Sequence, residues 1–461
     1  MDLTAVIRER LADTETPVST YVKLCRDEED AFLLESAESH EGPGRWSIIA
    51  YDPLASLELW PGRVERGGPA GRETFPEREF YNLVRRTLAD HYIEGPPGLP
   101  GVGALLGFIG YDAVRLIEDL GPLRPAGPPV ARLVFPSRFV LFDHWRRTLF
   151  LAALAAGPAE GRDKIAEMAR RLEYPFRLER RYGGLEIHPP DRDRYLAVVR
   201  RAQEYIRAGE IFQVVLADRF TGRTRAAPFD VYRRLRVQNP SPYMFFLNFG
   251  AYALLGASPE TLVKVSGGRV IIRPIAGTRG RSSDPEKDAA LERELLASEK
   301  ERAEHVMLVD LGRNDAGRVS RFGTVKVDPY MSVERYSHVM HLVSQVQGRL
   351  REDMDAVHAF QAGFPAGTVT GAPKVRAMQI IDELESTPRG PYGGAVGWFG
   401  AGNEMDTCLA IRMVLFQGDN FNVPVGAGIV ADSDPASEYR EILNKAAGSL
   451  AALEAAAKEE S

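Results

Sequence analysis

Between residues 243 and 265 three strand-like runs, at 243–248, 251–255 and 262–265, follow one another across short turns. Connections this short join antiparallel neighbours, because parallel strands need a long crossover. Further strand-like runs lie at 45–50, 55–59, 139–142, 149–156 and 211–217, and again after Gly393. Gly- and Pro-rich stretches at 95–101 and 121–129 are loops by composition. Helical periodicity is sparser. At 191–207 it puts Tyr195, Val198, Val199, Ala202 and Ile206 on one face. One helix ends near Leu172, and a long one is expected over about 288–310. The last starts at Asp434, a good N-cap, with Pro435 at the first helical position. The pattern predicts an α+β protein of largely antiparallel β-sheets flanked by helices. It divides into residues 1–175 and 185–461.

Composition narrows the function classes. Of 461 residues, 44% are apolar and 26% charged, values of an ordinary globular protein with an ample core. A net charge of −6 gives no electrostatic footprint for nucleic acid or an anionic membrane. The N-terminus lacks the apolar stretch of a signal peptide, and the run at 149–156 is too short to span a membrane. A cytoplasmic location is expected. Two cysteines, Cys25 and Cys408, are too few for a disulfide framework or a thiolate metal site.

The segment Arg273-Pro-Ile-Ala-Gly-Thr-Arg279 follows an apolar run and precedes an acidic helical stretch. It is expected to form a tight glycine turn between strand and helix. Gly277 and Thr278 there offer a backbone N–H and a hydroxyl to a carboxylate or phosphate. Two pairs of carboxylates stand three residues apart, Glu301 with Glu304 and Glu438 with Glu441, and Lys445 lies one turn further on. Taken alone, each pair is solvated helix surface. Brought within about 4 Å, carboxylates repel by about 4 kcal/mol per pair at an effective dielectric of about 20. A divalent cation removes that cost, and an all-oxygen donor set suits Mg²⁺. Neither HExxH nor CxxC is present, so zinc is not expected. The stretch Phe364 to Lys374 is Gly-rich but lacks the spacing of a phosphate-binding P-loop.

The Arg273–Arg279 segment resembles the signature of the chorismate-utilising enzymes, in particular the large subunits (component I) of anthranilate synthases. Further matching segments follow in family order and are densest from about 205 to 446. The resemblance implies two intertwined domains, the second, 185–461, binding chorismate. It makes Glu304 and Glu441 the Mg²⁺ ligands, with Glu301 and Glu438 in support, and has the metal and Gly277/Thr278 hold the ring carboxylate. Glu260, in Gly256-Ala-Ser-Pro-Glu260, would protonate the departing C4 hydroxyl, a role that needs a carboxyl of raised pKa. His341 would stand beside the ring for the later elimination; His338 is left structural. Tyr392, Arg412, the backbone of Gly426, Ala427 and Gly428, and Lys445 would grip the enolpyruvyl carboxylate. Arginine suits this by its bidentate fork, and glycine by close backbone approach. On its own, Gly-Ala-Gly suggests a turn at a strand end.

Two positions bear on the reaction. Relatives that add water carry a lysine base where this chain has Gln213, and a neutral amide cannot deprotonate water, which favours ammonia. Aminodeoxychorismate synthases carry a nucleophilic lysine where this chain has Ala276, whose methyl cannot attack. The expected reaction is a lyase step from chorismate and ammonia to anthranilate and pyruvate, the first step of tryptophan biosynthesis. Aminodeoxychorismate synthase and 2-amino-2-deoxyisochorismate synthase are the alternatives. No glutaminase nucleophile motif is present, so a separate glutamine amidotransferase subunit, in a hetero-oligomer, is expected to supply ammonia. Leu33-Leu-Glu-Ser36 and Asn239-Pro-Ser-Pro-Tyr-Met-Phe-Phe246 resemble the paired elements of tryptophan-inhibited members. The resemblance places an inhibitory L-tryptophan among Leu34, Glu35, Ser36, Pro242, Tyr243, Met244 and Phe245. Trp46 stands where those members carry Phe or Tyr.

Overall fold

The computed structural model describes residues 2–458 except 37, 40, 41, 92, 95–97, 125, 177–180, 337 and 338. His338 and part of the expected loop at 95–101 thus lie outside the described residues. Among the described residues, 22 strands join in one large curled sheet. Its pairings are antiparallel apart from a short parallel contact between Leu3–Leu11 and Ile93–Glu94. Both sequence regions contribute to it. Ala31–Glu35 lies between Trp46–Trp60 and Tyr243–Asn248, with Phe32 opposite Ala50 on one side and Leu247 on the other. Ala104–Ile109 likewise bridges Ala131–Asp143 and Ala395–Gly400. These strands are apolar on both faces because helices and opposing strands cover both, and Ala104–Ile109 is buried throughout. The core gathers aromatic side chains such as Phe32, Phe108, Phe135, Phe245 and Phe360.

A second, three-stranded sheet orders Ile275–Gly280, Val339–Val343 and Ser332–Arg335. The helices Pro285–Ala297 and Glu299–Val319 flank it, and Leu295, Met340 and Leu342 form a small core of its own. Helix Arg192–Arg207 starts at Asp191, whose carboxylate accepts from the Arg194 N–H at 3.0 Å, and buries Tyr195, Val199 and Ala202 as its periodicity predicts. The last helix, Pro435–Ala457, is capped by Asp434 and packs on strand Asn420–Ile429.

Four local expectations are corrected. Arg273–Arg279 is not a turn before a helix, since Ile275–Gly280 is extended and paired with Val339–Val343. Gly277 enters that ladder as a bulge at φ +64°, a backbone region that favours glycine. The long helix expected over about 288–310 is two helices. They break at Ser298, whose hydroxyl caps the second by accepting from the Glu301 N–H. The runs at 45–50 and 55–59 are a single strand, because Pro53 sits at a register shift and Asp52 adopts φ +63°. Gly426, Ala427 and Gly428 are not a strand-end turn: they lie in the ladder opposite Ala217, Leu216 and Val215.

Candidate active site

Glu260 follows strand Tyr252–Ser258 and precedes Thr261–Ser266. Its backbone carbonyl accepts from the Leu409 N–H at 3.0 Å, which fixes the corner. The side chain is buried, and the Thr368 hydroxyl donates to Oε1 at 2.8 Å. Burial outweighs that hydrogen bond and the nearby Lys445 cation, and pushes the carboxyl up to about 7. A carboxyl poised there exists in both protonation states near neutral pH, as a general acid requires.

Thr368 belongs to the short 3₁₀ turn Gly367–Val369 within the Phe364–Lys374 loop. Arg389 holds this loop: its guanidinium donates to the carbonyls of Val369 at 2.6 Å and Val215 at 2.8 Å, pairs with Glu385, and lies 4.5 Å over the Tyr111 ring. Further along, Lys374 pairs with Asp315 at 2.8 Å. Neither Thr368 nor Arg389 emerges as a candidate from the sequence. Thr368 sits in the Phe364–Lys374 stretch and Arg389 three residues before Tyr392, but their partners are distant in the chain.

The small sheet brings Gly277, Thr278 and His341 together. The bulge sets Thr278 directly across from His341. His341 Nδ1 lies 3.0 Å from the Thr278 hydroxyl and 3.1 Å from the Gly277 carbonyl oxygen. A carbonyl can only accept, so Nδ1 carries the proton and the Nε2 lone pair is the basic one. Burial, with Arg412 nearby, lowers the His341 pKa and keeps the ring neutral. A Cβ on Gly277 would come within 3.0 Å of Glu301 Oε2, so this bulge abuts the carboxylate helix.

The four glutamates come from two helices. Burial raises the Glu304 pKa, and the Glu301 and Glu441 charges raise it further; burial and Glu441 do the same to Glu438. The pairs therefore share one electrostatic neighbourhood. Each also has a cation at hand, Arg279 for Glu301 at 3.3 Å and Lys445 for Glu441 at 2.7 Å. Among the described residues no three acidic, His or Cys side chains are gathered closely enough to hold a metal ion. The donor chemistry nevertheless fits Mg²⁺: only oxygens, under mutual repulsion.

Tyr392 is buried and its hydroxyl is pushed up to about 12, chiefly by burial. A Cβ on Gly426 would stand 2.7 Å from that hydroxyl, and one on Gly428 2.7 Å from Gln213 Nε2. The two glycines thus leave room for these side chains. Gln213 is itself buried and pairs with Ala372 of the Thr368 loop. Lys445 donates to the Gly426 carbonyl at 2.8 Å. Arg412 sits at φ +51° between strands, and burial lowers its pKa despite the nearby Tyr392 and Glu441. A non-glycine residue held there marks backbone strain of the kind that clusters at functional sites. Lys445 influences Glu260, Glu304 and Glu438 alike, so it lies where Glu260, the carboxylates and the Gly426–Gly428 strand converge.

A separate cavity of about 1010 Å³ is lined by Leu34, Glu35, Ser36, Pro242, Tyr243, Met244 and Phe245, with Trp46 beside them. The ladder sets Met244 opposite Glu35 and Phe245 opposite Leu34. The Glu35 carboxylate is committed elsewhere, to Arg236 at 2.8 and 3.0 Å and to the Tyr232 hydroxyl at 2.6 Å. From the cavity wall, the Tyr243 hydroxyl reaches Thr261, the neighbour of Glu260, at 2.9 Å.

Residues 29–451 match the sequence model of the family described as chorismate binding enzyme. Anthranilate synthase component 1 of Thermus thermophilus is 45% identical, over 97% of this chain and 97% of that protein. The component 1 protein of Cereibacter sphaeroides is 43% identical, over 94% of this chain and 91% of its own length. The crystal structure of anthranilate synthase component I from Streptococcus pneumoniae superposes with a TM-score of 0.81 at 37% identity, covering 88% of this chain and 92% of that one. The menaquinone-specific isochorismate synthase of Escherichia coli, at 21% identity and a TM-score of 0.76, shares the fold. On sequence and structure together, the chain belongs to the chorismate-binding enzymes, among the anthranilate synthase component I proteins.

Proposed function

We infer that the chain converts chorismate and ammonia into anthranilate, pyruvate and water. The observation that carries this reading is the buried Glu260 carboxyl, raised to about 7, hydrogen-bonded by Thr368 and close enough to Lys445 to feel its charge. Arg412, Tyr392, Lys445 and the Gly426–Gly428 backbone hold the enolpyruvyl carboxylate, while Gly277 and Thr278 meet the ring carboxylate. The nitrogen forms its bond to C2 as the C4–O bond breaks, and Glu260 gives its proton to the departing hydroxyl, which leaves as water. Loss of the C2 proton beside His341 then breaks the C3–O bond, releases pyruvate and aromatises the ring. Glu304 and Glu441, supported by Glu301 and Glu438, would hold Mg²⁺, which supplies positive charge to the ring carboxylate. Gln213 and Ala276 supply neither a base for water nor an amine nucleophile, which supports ammonia as the attacking group.

Ammonia comes from a separate glutamine amidotransferase subunit in this reading. Cys25 and Cys408 are both buried, with thiol pKa values raised by burial, and neither suits a glutaminase nucleophile. The name component 1 carried by the relatives accords with a second component. L-Tryptophan occupies the cavity beside Ser36 and Met244 and inhibits. No helix among the described residues is long and apolar enough to cross a membrane. The test mixes the purified chain with chorismate, Mg²⁺ and an ammonium salt and follows anthranilate fluorescence with and without tryptophan. Magnesium-dependent anthranilate that tryptophan suppresses is the expected result. Chorismate consumed without anthranilate would replace this reading with a sister reaction.

A further inference from the structure

The helix carrying Glu301 and Glu304 must hold a fixed depth and rotation against the small sheet carrying Gly277, Thr278 and His341. Lower on the helix, Gly312 gives an apolar close approach, where a Cβ would meet Val346 at 3.3 Å and Ile272 at 3.5 Å. Near the carboxylates the contact is polar. His305, the residue after Glu304, is fully buried, and its Nε2 lies 2.6 Å from the hydroxyl of Ser344.

Ser344 is also fully buried and follows strand Val339–Val343 directly. Its hydroxyl accepts from the Met331 N–H at 2.8 Å, and its own N–H donates to the Pro274 carbonyl at 3.2 Å. Met331, at φ +51°, opens the way into strand Ser332–Arg335, and Pro274 opens Ile275–Gly280. One serine thus joins the carboxylate helix to all three strands of the small sheet at their common end. His305 Nδ1 has no hydrogen-bond partner.

We propose that His305 and Ser344 are a positioning pair that sets the carboxylate helix against the Gly277–Thr278–His341 ladder. This rests on the functional reading above, since the spacing matters only if both sides hold one ligand. The pair touches no reacting atom and acts through Glu301, Glu304 and His341.

The test compares wild type with Ser344→Ala, His305→Leu, His305→Asn and His305→Gln. It measures chorismate KM, kcat, melting temperature, and direct binding of Mn²⁺ by electron paramagnetic resonance without substrate. Gln can carry an amide nitrogen to the place of Nε2, whereas Asn falls a methylene short. The Ala, Leu and Asn variants are expected to weaken Mn²⁺ binding and raise KM about tenfold, the scale of lost support behind a ligand. His305→Gln should restore both constants, and the Ser344→Ala/His305→Leu double variant should be no worse than the worse single. Folded variants with wild-type constants, a Gln variant as impaired as Asn, or multiplying single effects would each overturn the pair. If the Leu and Ala variants fail to fold, the Gln–Asn comparison decides. A wild type that neither binds Mn²⁺ nor consumes chorismate brings down the functional reading and the pair with it; a competent wild type with indifferent variants brings down the pair alone.

Discussion

As the proposed general acid, Glu260 would couple activity to stability through one proton. Its carboxyl rises from 4.5 to about 7 because charge is costly where it is buried. A general acid must be protonated, so kcat/KM is expected to fall as pH rises through about 7. The Thr368 hydrogen bond lowers this pKa, so Thr368→Val should move the falling limb to higher pH; a shift downward would contradict the assignment. For stability the sign is the usual one for a raised pKa. Below 4.5 both folded and unfolded chains carry the proton, and the contribution is fully present; it is lost as pH rises towards 7. Glu260→Gln stays neutral and should stabilise the protein by about 3 kcal/mol above that pH, while costing roughly 10²–10⁴-fold in turnover. Melting curves at pH 5 and pH 8 check the first, and anthranilate rates the second. Gly428→Ala is a milder probe. The added methyl stands 2.7 Å from Gln213 Nε2, so the amide must turn away, and activity should fall with the melting temperature nearly unchanged. The candidate residues were proposed from the family resemblance of their segments; taken alone, each carboxylate pair reads as solvated surface and Gly-Ala-Gly as a turn. Thr368 and Arg389 were not among them, since hydroxyls and arginines are common and only the fold shows what they touch.

At the scale of elements, capping residues and periodicity marked the helices ending near 172, at 191–207 and from 434, but left Pro17–Cys25, Phe80–Asp90, Pro228–Gln238, Ala356–Gly363 and Lys374–Leu384 unmarked and misjudged breaks. Ser298 looked like the middle of one long helix, yet it ends one helix and caps the next. That cap orders the first turn, where Glu301 donates its N–H to the Ser298 hydroxyl. Ser298→Ala is expected to cost about 1 kcal/mol of stability. The same change should raise the Mg²⁺ concentration needed for half-maximal activity, because the frayed turn carries Glu301. Calorimetry together with a magnesium titration tests this, and an unchanged titration would separate the cap from the carboxylates. The bulge at Gly277 was also invisible. A glycine between apolar and polar residues suits a turn as well as a bulge, and only pairing with Val339–Val343 decides between them.

Over the whole molecule, the cavity beside Ser36 draws its walls from strands far apart in sequence, which the shared sheet aligns in register. One of its lining residues, Tyr243, is hydrogen-bonded to Thr261, one residue from Glu260. A ligand there can therefore bias the acid's surroundings only through differential contacts in two arrangements of the sheet. Ser36→Leu fills part of this cavity. It should raise the tryptophan concentration for half-inhibition by about tenfold or more, equivalent to about 1.4 kcal/mol, while anthranilate formation persists. Inhibition curves for the two proteins decide this, and coincident curves would move tryptophan out of the cavity.

The amino-acid sequence alone determined the antiparallel α+β character, through strand runs too closely spaced for crossovers, and named the candidate side chains, through segments that resemble those of the family. Tertiary structure alone decided how those side chains work. The Glu260 pKa depends on the dielectric around it, the tautomer of His341 on a carbonyl 64 positions away, and the space for Gln213 and Tyr392 on two glycines in another strand. Burial, charge proximity and close approach are properties of distances between residues remote in the chain, and local sequence does not encode those distances.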